Sequence, residues 1–212
     1  PGIENIYRLR LAEKKEIMDK FMINLDRPTA LCTYHPVTLE FGMSPDLQMK
    51  NLFSAMDSFS EIQYVLTYPG IEHGSRNIIK HLQEFCSSHN NVFLYKSLGS
   101  DYLALMKHSV MVIGNSSSGI IEAPSFHIPT VNIGSRQDGR ERASSIVDCD
   151  YDAANIERAM RKALSSEFRQ EIALCKNPYD PYQDGNVSSR LVRVLQNLPE
   201  KEKLLQKKVC FE

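Results

Sequence analysis

Residues 113–141 read IGNSSSGIIEAPSFHIPTVNIGSRQDGRE, and the fold prediction starts from this stretch. It leaves an apolar strand (110–114), crosses three consecutive serines into a segment of helical period (117–125), and enters a second apolar strand (129–134). Both strands are short and nearly continuous in apolar character, which is typical of parallel strands covered by helices on both faces. The stretch therefore predicts a strand–helix–strand unit of a parallel sheet.

The same alternation extends in both directions along the chain. Apolar runs rich in β-branched residues predict four further strands, at 29–34, 62–68, 91–96 and 144–149. Segments of helical period predict further helices, at about 4–22, 44–58, 74–88, 100–108, 152–165 and 186–198. We therefore expect an α/β fold with a doubly wound, Rossmann-like parallel sheet. The Asp- and Pro-rich segment 177–185 separates the last helix from that sheet.

The composition is that of an ordinary globular domain. The chain has 212 residues, of which 42% are hydrophobic and 24% are charged, and its formal net charge is −1. This charge gives no general attraction to nucleic acid or to an anionic membrane, and no apolar run is long enough to span a bilayer. The five cysteines are odd in number and scattered, so they predict neither a disulfide framework nor a zinc site. We expect a cytoplasmic protein.

Polar residues follow several of the predicted strands. The positions of interest are His35 after the first strand, 68–75 after the second, 97–100 after the third, 115–122 after the fourth and 134–142 after the fifth. In a doubly wound sheet, ligands bind outside the carboxyl ends of the strands. The sequence therefore predicts that these side chains gather around one ligand.

The strongest candidate among them is the segment 115–118, which we call the serine turn. A helix that begins near Ser117 would present its first N–H groups and the positive end of its dipole to a phosphate. Ser116 and Ser117 could add hydroxyl donors, and Glu122 could accept from the vicinal hydroxyls of a ribose. The alternative is that Asn115 or Ser116 only caps the helix and that Glu122 is solvated. The sequence contains no nucleophile elbow, no phosphate-binding P-loop and no G-x-G-x-x-G motif.

Two further groups at this edge suit an anionic ligand. His35 stands before Pro36, and its imidazole could donate to a phosphate oxygen, although a lone histidine is more often structural. Arg136, Arg140 and Arg142 form a cationic loop, which either clamps a phosphate or lies solvated on the surface. The remaining histidines lack the spacing of metal ligands, so no metal site is expected.

Longer motifs carry a resemblance to a known family. They are VIGNSSSGIIEAPSFHIPTVNIGSRQDGRERASSIVDCD (112–150), TYHPVTLE, TYPGIEHGSRNIIKHL, PYQDGNVSSRLVRVLQ and LLQKKVCFE. With them the chain resembles the hydrolysing UDP-N-acetylglucosamine 2-epimerases of sialic acid synthesis. The resemblance implies one half of a glycosyltransferase-B type fold, in which two Rossmann-like domains face each other. Residues 1–212 would be the C-terminal, UDP-binding domain, with helix 186–198 packing back towards the N-terminal domain.

The resemblance also implies a reaction. UDP-N-acetylglucosamine loses its C2 proton and expels UDP to leave a glycal, and hydration of the glycal gives N-acetylmannosamine. The catalytic acids are expected mainly on the N-terminal domain, so this half alone would bind UDP without turnover, and it would need no cofactor.

The family's UDP contacts carry over to particular positions of this chain. They are His35 for the diphosphate, Ser97 near the uracil, Ser116 and Ser117 for phosphate, Glu122 for the ribose, and Arg136 to complete the site. At Gly70 many relatives have asparagine, so a side-chain contact is not expected there.

Three other functions remain open from the sequence. They are a hydrolysing epimerase for another UDP-amino sugar, of the legionaminic acid type, a stand-alone UDP-sugar binding module, and a glycosyltransferase-B domain. The triple serine and SRQDGR favour the hydrolysing over the non-hydrolysing epimerases. The implied ligands are UDP and a UDP-amino sugar, and the implied partners are the N-terminal domain and further copies of the chain in a homo-oligomer.

Overall fold

The computed structural model describes residues 2–37, 42–201 and 203, so part of the motif TYHPVTLE and the whole motif LLQKKVCFE lie outside the described residues. It contains a six-stranded sheet in the order β3-β2-β1-β4-β5-β6, and every neighbouring pair is parallel. The strands are β1 (Thr29–Thr33), β2 (Gln63–Thr67), β3 (Val92–Tyr95), β4 (Met111–Gly114), β5 (Thr130–Ile133) and β6 (Ile146–Cys149). All six predicted strands are confirmed, with ends that differ by one or two residues.

Helices cover both faces of the sheet. They are α1 (Asn5–Arg8), α2 (Lys14–Phe21), α3 (Pro45–Asp57), α4 (Ser75–Ser88), α5 (Tyr102–His108), α6 (Ser117–Ile121), α7 (Ala153–Leu164), α8 (Ser166–Ile172) and α9 (Val187–Gln196). Short 3₁₀ segments cover Gly2–Glu4, Gly99–Asp101 and Ala123–Phe126. Each covering helix turns an apolar face to the sheet, as expected for a doubly wound fold.

The single helix predicted at 4–22 is wrong, because the chain is extended at Leu9 (φ −86°, ψ 139°) and a new helix begins at Lys14. The new start is a capping box, in which the carboxylate of Glu16 accepts from the N–H of Glu13 at 2.8 Å. Helix α8 was not predicted. It is capped by Ser165, whose hydroxyl accepts from the N–H of Phe168 at 3.2 Å.

Alternate side chains of each strand enter opposite layers of the core. In β1, Ala30 and Cys32 pack with residues of α3, α4 and α7, whereas Leu31 packs with residues of α2 and α5. All five residues of β1 are buried, which places this strand at the centre of the sheet. Among the described residues, no helix is both long and apolar enough to cross a membrane.

Helix α9 lies apart from the sheet, and none of its residues is buried. Its apolar side chains Leu191, Val192, Val194 and Leu195 are between 50% and 64% exposed. The helix is held at its N-terminus by the buried carboxylate of Glu4, which accepts from the N–H of Ser188 at 3.1 Å. Its apolar stripe therefore remains open to a further surface.

Candidate functional site

The strand order reverses between β1 and β4, because β1 continues to β2 on one side and β4 to β5 on the other. This reversal opens a crevice at the carboxyl ends of the two strands. Fully buried Asn115 joins the loops that leave them: its Oδ1 accepts from the N–H of His35 at 2.7 Å, and its Nδ2 donates to the carbonyl of His35 at 2.8 Å. The two bonds set the width of the crevice.

The serine turn lies directly beyond Asn115. Ser116 is the N-cap of α6, and its hydroxyl accepts from the N–H of Ser118, so the capping interpretation is correct for this residue. Ser117 is the first helical residue and is partly exposed. Helix α6 has only five residues, so its dipole is weaker than that of the predicted 117–125 helix. Hydroxyls and free N–H groups are therefore the main anion donors here.

His35 and Arg136 meet at this end of the crevice. The Nδ1 of His35 accepts from the N–H of Gly70 at 3.3 Å, which leaves Nε2 to carry the proton of the neutral ring. Burial lowers the pKa of His35, and the charge of Arg136 lowers it further. Arg136 donates to the carbonyl of Asn115 at 3.2 Å and to Glu72 at 3.3 Å. The site thus offers one neutral and one charged donor to an anion.

Glu72 places a carboxylate between these two donors. Its Oε1 lies 3.3 Å from Nη2 of Arg136 and 3.8 Å from Nδ1 of His35. A bound anion would have to compete with this carboxylate for Arg136. Glu72 belongs to the segment 68–75 that was expected to lie at this edge, but no spacing singled it out, since the contact depends on the path of the loop after β2.

We expect the Glu72→Gln variant to bind inorganic pyrophosphate about threefold more tightly at low ionic strength, because a partly exposed ion pair contributes only modestly. The gain should shrink as salt is added. Calorimetric titration of both proteins measures it, with Glu84→Gln on α4 as the control, because Glu84 pairs with Lys80 on the surface. Weaker binding by Glu72→Gln would show instead that Glu72 holds Arg136 in place for the anion.

Beside the serine turn lies a cavity of about 410 Å³. Ser97, Ser118 and Glu122 are among its lining residues. The Oε2 atom of Glu122 is buried and has no hydrogen-bond partner among the described residues. Burial raises the pKa of Glu122 to about 7. A buried acceptor without a donor is costly, so this carboxylate is suited to a ligand that brings hydroxyl groups.

A chain of hydroxyl groups forms one side of this cavity. Tyr102 shares a hydrogen bond of 2.6 Å with Ser118, and its hydroxyl lies 3.5 Å from that of Thr33. Thr33 in turn shares a 2.6 Å bond with Thr67. The sequence interpretation missed these residues, although Thr33 and Thr67 stand at the ends of neighbouring strands, where polar side chains were the expected signal.

The structure places the predicted site residues in two neighbouring groups, one on each side of the serine turn. Ser97 and Glu122 line the cavity, His35 and Arg136 meet at Asn115, and the serine turn lies between them.

The other two arginines do not share the position of Arg136. Arg142 is bound to Asp148 at 2.8 Å and to the carbonyl of Gln137 at 3.1 Å, so it braces the loop. Arg140 is exposed. Gln137, which was also not predicted, donates to the carbonyl of Asn115 at 2.7 Å and is buried.

Comparison with known proteins places this geometry in a family. The sequence profile described as UDP-N-acetylglucosamine 2-epimerase matches residues 1–196. The chain is 34% identical over 167 residues to the GDP/UDP-N,N'-diacetylbacillosamine 2-epimerase (hydrolyzing) of Campylobacter jejuni, covering 78% of this chain and 43% of that protein. It is 32% identical over 197 residues to polysialic acid biosynthesis protein P7 of Escherichia coli, covering 92% of this chain and 49% of the relative.

Solved structures agree on the fold. The S. aureus MnaA–UDP co-structure matches with a TM-score of 0.70 at 23% identity, covering 100% of this chain and 54% of that one. UDP-GlcNAc 2-epimerase from Neisseria meningitidis, bound to UDP-GlcNAc, matches with a TM-score of 0.65 at 20% identity, covering 92% of this chain and 53% of that one. The predicted fold class, a Rossmann-like half of a glycosyltransferase-B type fold, is confirmed. The chain spans about half the length of the curated relatives it matches, and it belongs to the UDP-N-acetylglucosamine 2-epimerase family.

Proposed function

We propose that this chain is the C-terminal, UDP-binding domain of a hydrolysing UDP-N-acetylglucosamine 2-epimerase. The observation that carries the proposal is the carboxylate of Glu122, which lines the cavity and whose buried Oε2 has no hydrogen-bond partner among the described residues. The vicinal hydroxyls of a ribose would supply donors to it. Ser97, on the loop after β3, would lie near the uracil.

The diphosphate would then lie over the serine turn, towards His35 and Arg136. These groups donate to phosphate oxygens, so they would stabilise the negative charge that develops on UDP as the C1–O bond breaks. The described residues of the site place no second carboxylate beside Glu122 in the cavity. The acids that remove the C2 proton and reprotonate the sugar are therefore assigned to the N-terminal domain, and this half alone is expected to bind without turnover.

The sugar is proposed to be N-acetylglucosamine, with N-acetylmannosamine as the product for sialic acid synthesis. The similarity to a relative named for polysialic acid biosynthesis supports this choice. A second candidate is a UDP-diacetamido sugar, because relatives from Campylobacter jejuni and Legionella pneumophila are named as diacetylbacillosamine 2-epimerases. Either sugar would extend away from this domain towards the other half of the enzyme.

The exposed stripe of α9 supports a proposal for assembly. Its leucines and valines would pack against the N-terminal domain, which would close the crevice from the opposite side. We also propose a homo-oligomer, as the resemblance implies, and a location in the cytoplasm, as the odd number and scattered positions of the cysteines predict.

The isolated domain is expected to bind UDP at least about tenfold more tightly than GDP or ADP, since polar groups that pair with the edge of uracil would be left unpaired by a purine base. Calorimetric titration with the three nucleotides measures this preference. Chelation by EDTA should leave the UDP affinity unchanged, because the proposed contacts involve no metal ion. Equal affinities for the three nucleotides, or a strict need for magnesium, would contradict the proposal.

A further inference from the structure

One side of the proposed nucleotide cavity is formed by the strap, which we define as residues 2–9. Gly2, Asn5 and Leu9 of the strap line the cavity together with Glu122. Gly2 lies so close to Glu122 that a Cβ atom added to it would stand 2.5 Å from Oε1 of the carboxylate. The strap is therefore part of what keeps water away from this side chain.

In addition to the bonds that Ser188 donates to Glu4, the strap is held by the buried carboxylate of Asp180. The hydroxyl of Tyr7 donates to Oδ2 of Asp180, and the same oxygen accepts from the hydroxyl of Ser125 at 3.1 Å. The other oxygen of Asp180 accepts from the N–H of Gln183 at 3.2 Å. Asp180 is only 3% exposed, so these bonds are shielded from water.

The loop that carries Asp180 also forms hydrogen bonds with residues on both sides of Glu122. Asn177 donates from its Nδ2 to the carbonyl of Ile121 at 2.7 Å and to the hydroxyl of Ser125 at 2.8 Å. Ile121 directly precedes Glu122, and Ser125 lies one turn of 3₁₀ helix after it. Asn177 is 3% exposed. Asp180 is thus linked to Glu122 through Ser125 and to the strap through Tyr7.

We propose that Asp180 is a positioning residue of the nucleotide site: it ties the strap to the turn that carries Glu122, so that the strap closes the cavity over this carboxylate. The proposal rests on the proposed function only in naming UDP as the ligand. Asp180 does not line the cavity and is not expected to touch the nucleotide. It acts through Tyr7 and Ser125.

The pKa of Glu122 indicates whether the strap covers this side chain. Burial is the main cause of its raised pKa. The other titratable side chains that line the cavity are Tyr68, Lys96 and Tyr102, and none of them has a recorded hydrogen bond or ion pair with Glu122 among the described residues. If the strap detaches, water reaches Glu122 and its pKa falls towards its usual range.

The test is the Tyr7→Phe variant, which keeps the ring and removes the bond to Asp180. We expect its affinity for UDP to fall about tenfold, which is the order expected for one hydrogen bond to a charged group. We expect the pKa of Glu122, followed by carbon NMR of its carboxyl group, to fall well below about 7. Tyr182→Phe is the matched control, because Tyr182 is 66% exposed, and it should leave both quantities unchanged.

A second variant, Ser125→Ala, removes the link from Asp180 to the turn, together with the bond that Asn177 donates to Ser125, and is expected to weaken UDP binding as well. If the wild type binds UDP and Tyr7→Phe binds it equally well, the positioning role is wrong and the proposed function stands. If the wild type does not bind UDP, the proposed function fails, and the pKa of Glu122 decides the positioning role alone. A pKa that is the same in wild type and Tyr7→Phe overturns it, and a fall confined to Tyr7→Phe supports it.

Discussion

The Glu122→Gln variant is expected to bind UDP about thirtyfold more weakly than the wild type while becoming more stable above pH 7. The loss of affinity follows because hydrogen bonds to a charged acceptor contribute about 1.5–3 kcal/mol each, and the amide offers a neutral acceptor in its place. The gain in stability has a separate cause. The buried carboxylate must ionise without a partner, whereas the amide carries no charge.

The direction of the pH dependence follows from the pKa of Glu122, which rises from its usual 4.5 to about 7 in the folded protein. Between these values the folded chain keeps a proton that the unfolded chain has released, so the free energy of unfolding falls as the pH rises. Above pH 7 the whole penalty is present. Allowing for the partial exposure of the residue, we expect Glu122→Gln to exceed the wild type there by about 1–2 kcal/mol.

Urea unfolding at pH 5 and pH 8 and calorimetry with UDP measure the two effects on the same preparations. The UDP affinity of the wild type should itself rise with pH through 7, because hydroxyl donors favour the ionised carboxylate. Glu171→Gln is the control, since Glu171 is exposed on α8 and distant in sequence from the cavity. A Glu122→Gln variant that binds UDP as well as the wild type would remove the ribose assignment.

The second large effect is expected at Gly114, the last residue of β4. A Cβ atom at this position would lie 2.1 Å from the carbonyl oxygen of Thr33 in β1, and the backbone has φ +124°. The side chain therefore cannot enter unless β4 moves away from β1. We expect Gly114→Ala to lower the free energy of unfolding by at least about 3 kcal/mol, from both the clash and the backbone conformation.

Gly139→Ala separates these two causes. Gly139 also has a positive φ, +77°, but a Cβ atom there would meet nothing within 4 Å. This control is expected to cost about 1 kcal/mol, from the backbone conformation alone. Urea unfolding gives both values. If Gly114→Ala unfolds no more easily than Gly139→Ala, the close approach of the two strands is not what requires glycine at this position.

The strands could be predicted closely because each is a short apolar run bounded by polar or turn residues, and parallel strands are buried on both faces. The interruption between α1 and α2 near Leu9 could not be predicted, because the apolar pattern continues through it. The capping box that starts α2 also begins with glutamate (Glu13) instead of the usual serine or threonine. Helix α8 did carry a signal, a serine cap at Ser165, but its seven residues are too few for a clear helical period.

The sequence predicted those parts of the candidate site that directly follow the strands. His35, the serine turn and Arg136 all follow strands, and the sheet brings them to one crevice. The hydrogen bonds that hold the site together could not be predicted, because they join residues of different elements, such as Gln137 with Asn115 and Tyr102 with Ser118. Patterns of polarity do not encode which rotamer reaches which partner.

The pairing of β1 with β4 also governs when the crevice comes into existence. Its two sides are joined by Asn115 and His35, which are 80 residues apart in the chain. During synthesis, β1, β2 and β3 can assemble as soon as they emerge, but β4 must still find the free edge of β1, and such long-range parallel pairing is slow. A nucleotide therefore has nothing to recognise until the two halves of the sheet have joined. The nucleotide can stabilise the folded domain by binding to it, but it cannot promote the folding steps that precede the pairing of β1 with β4.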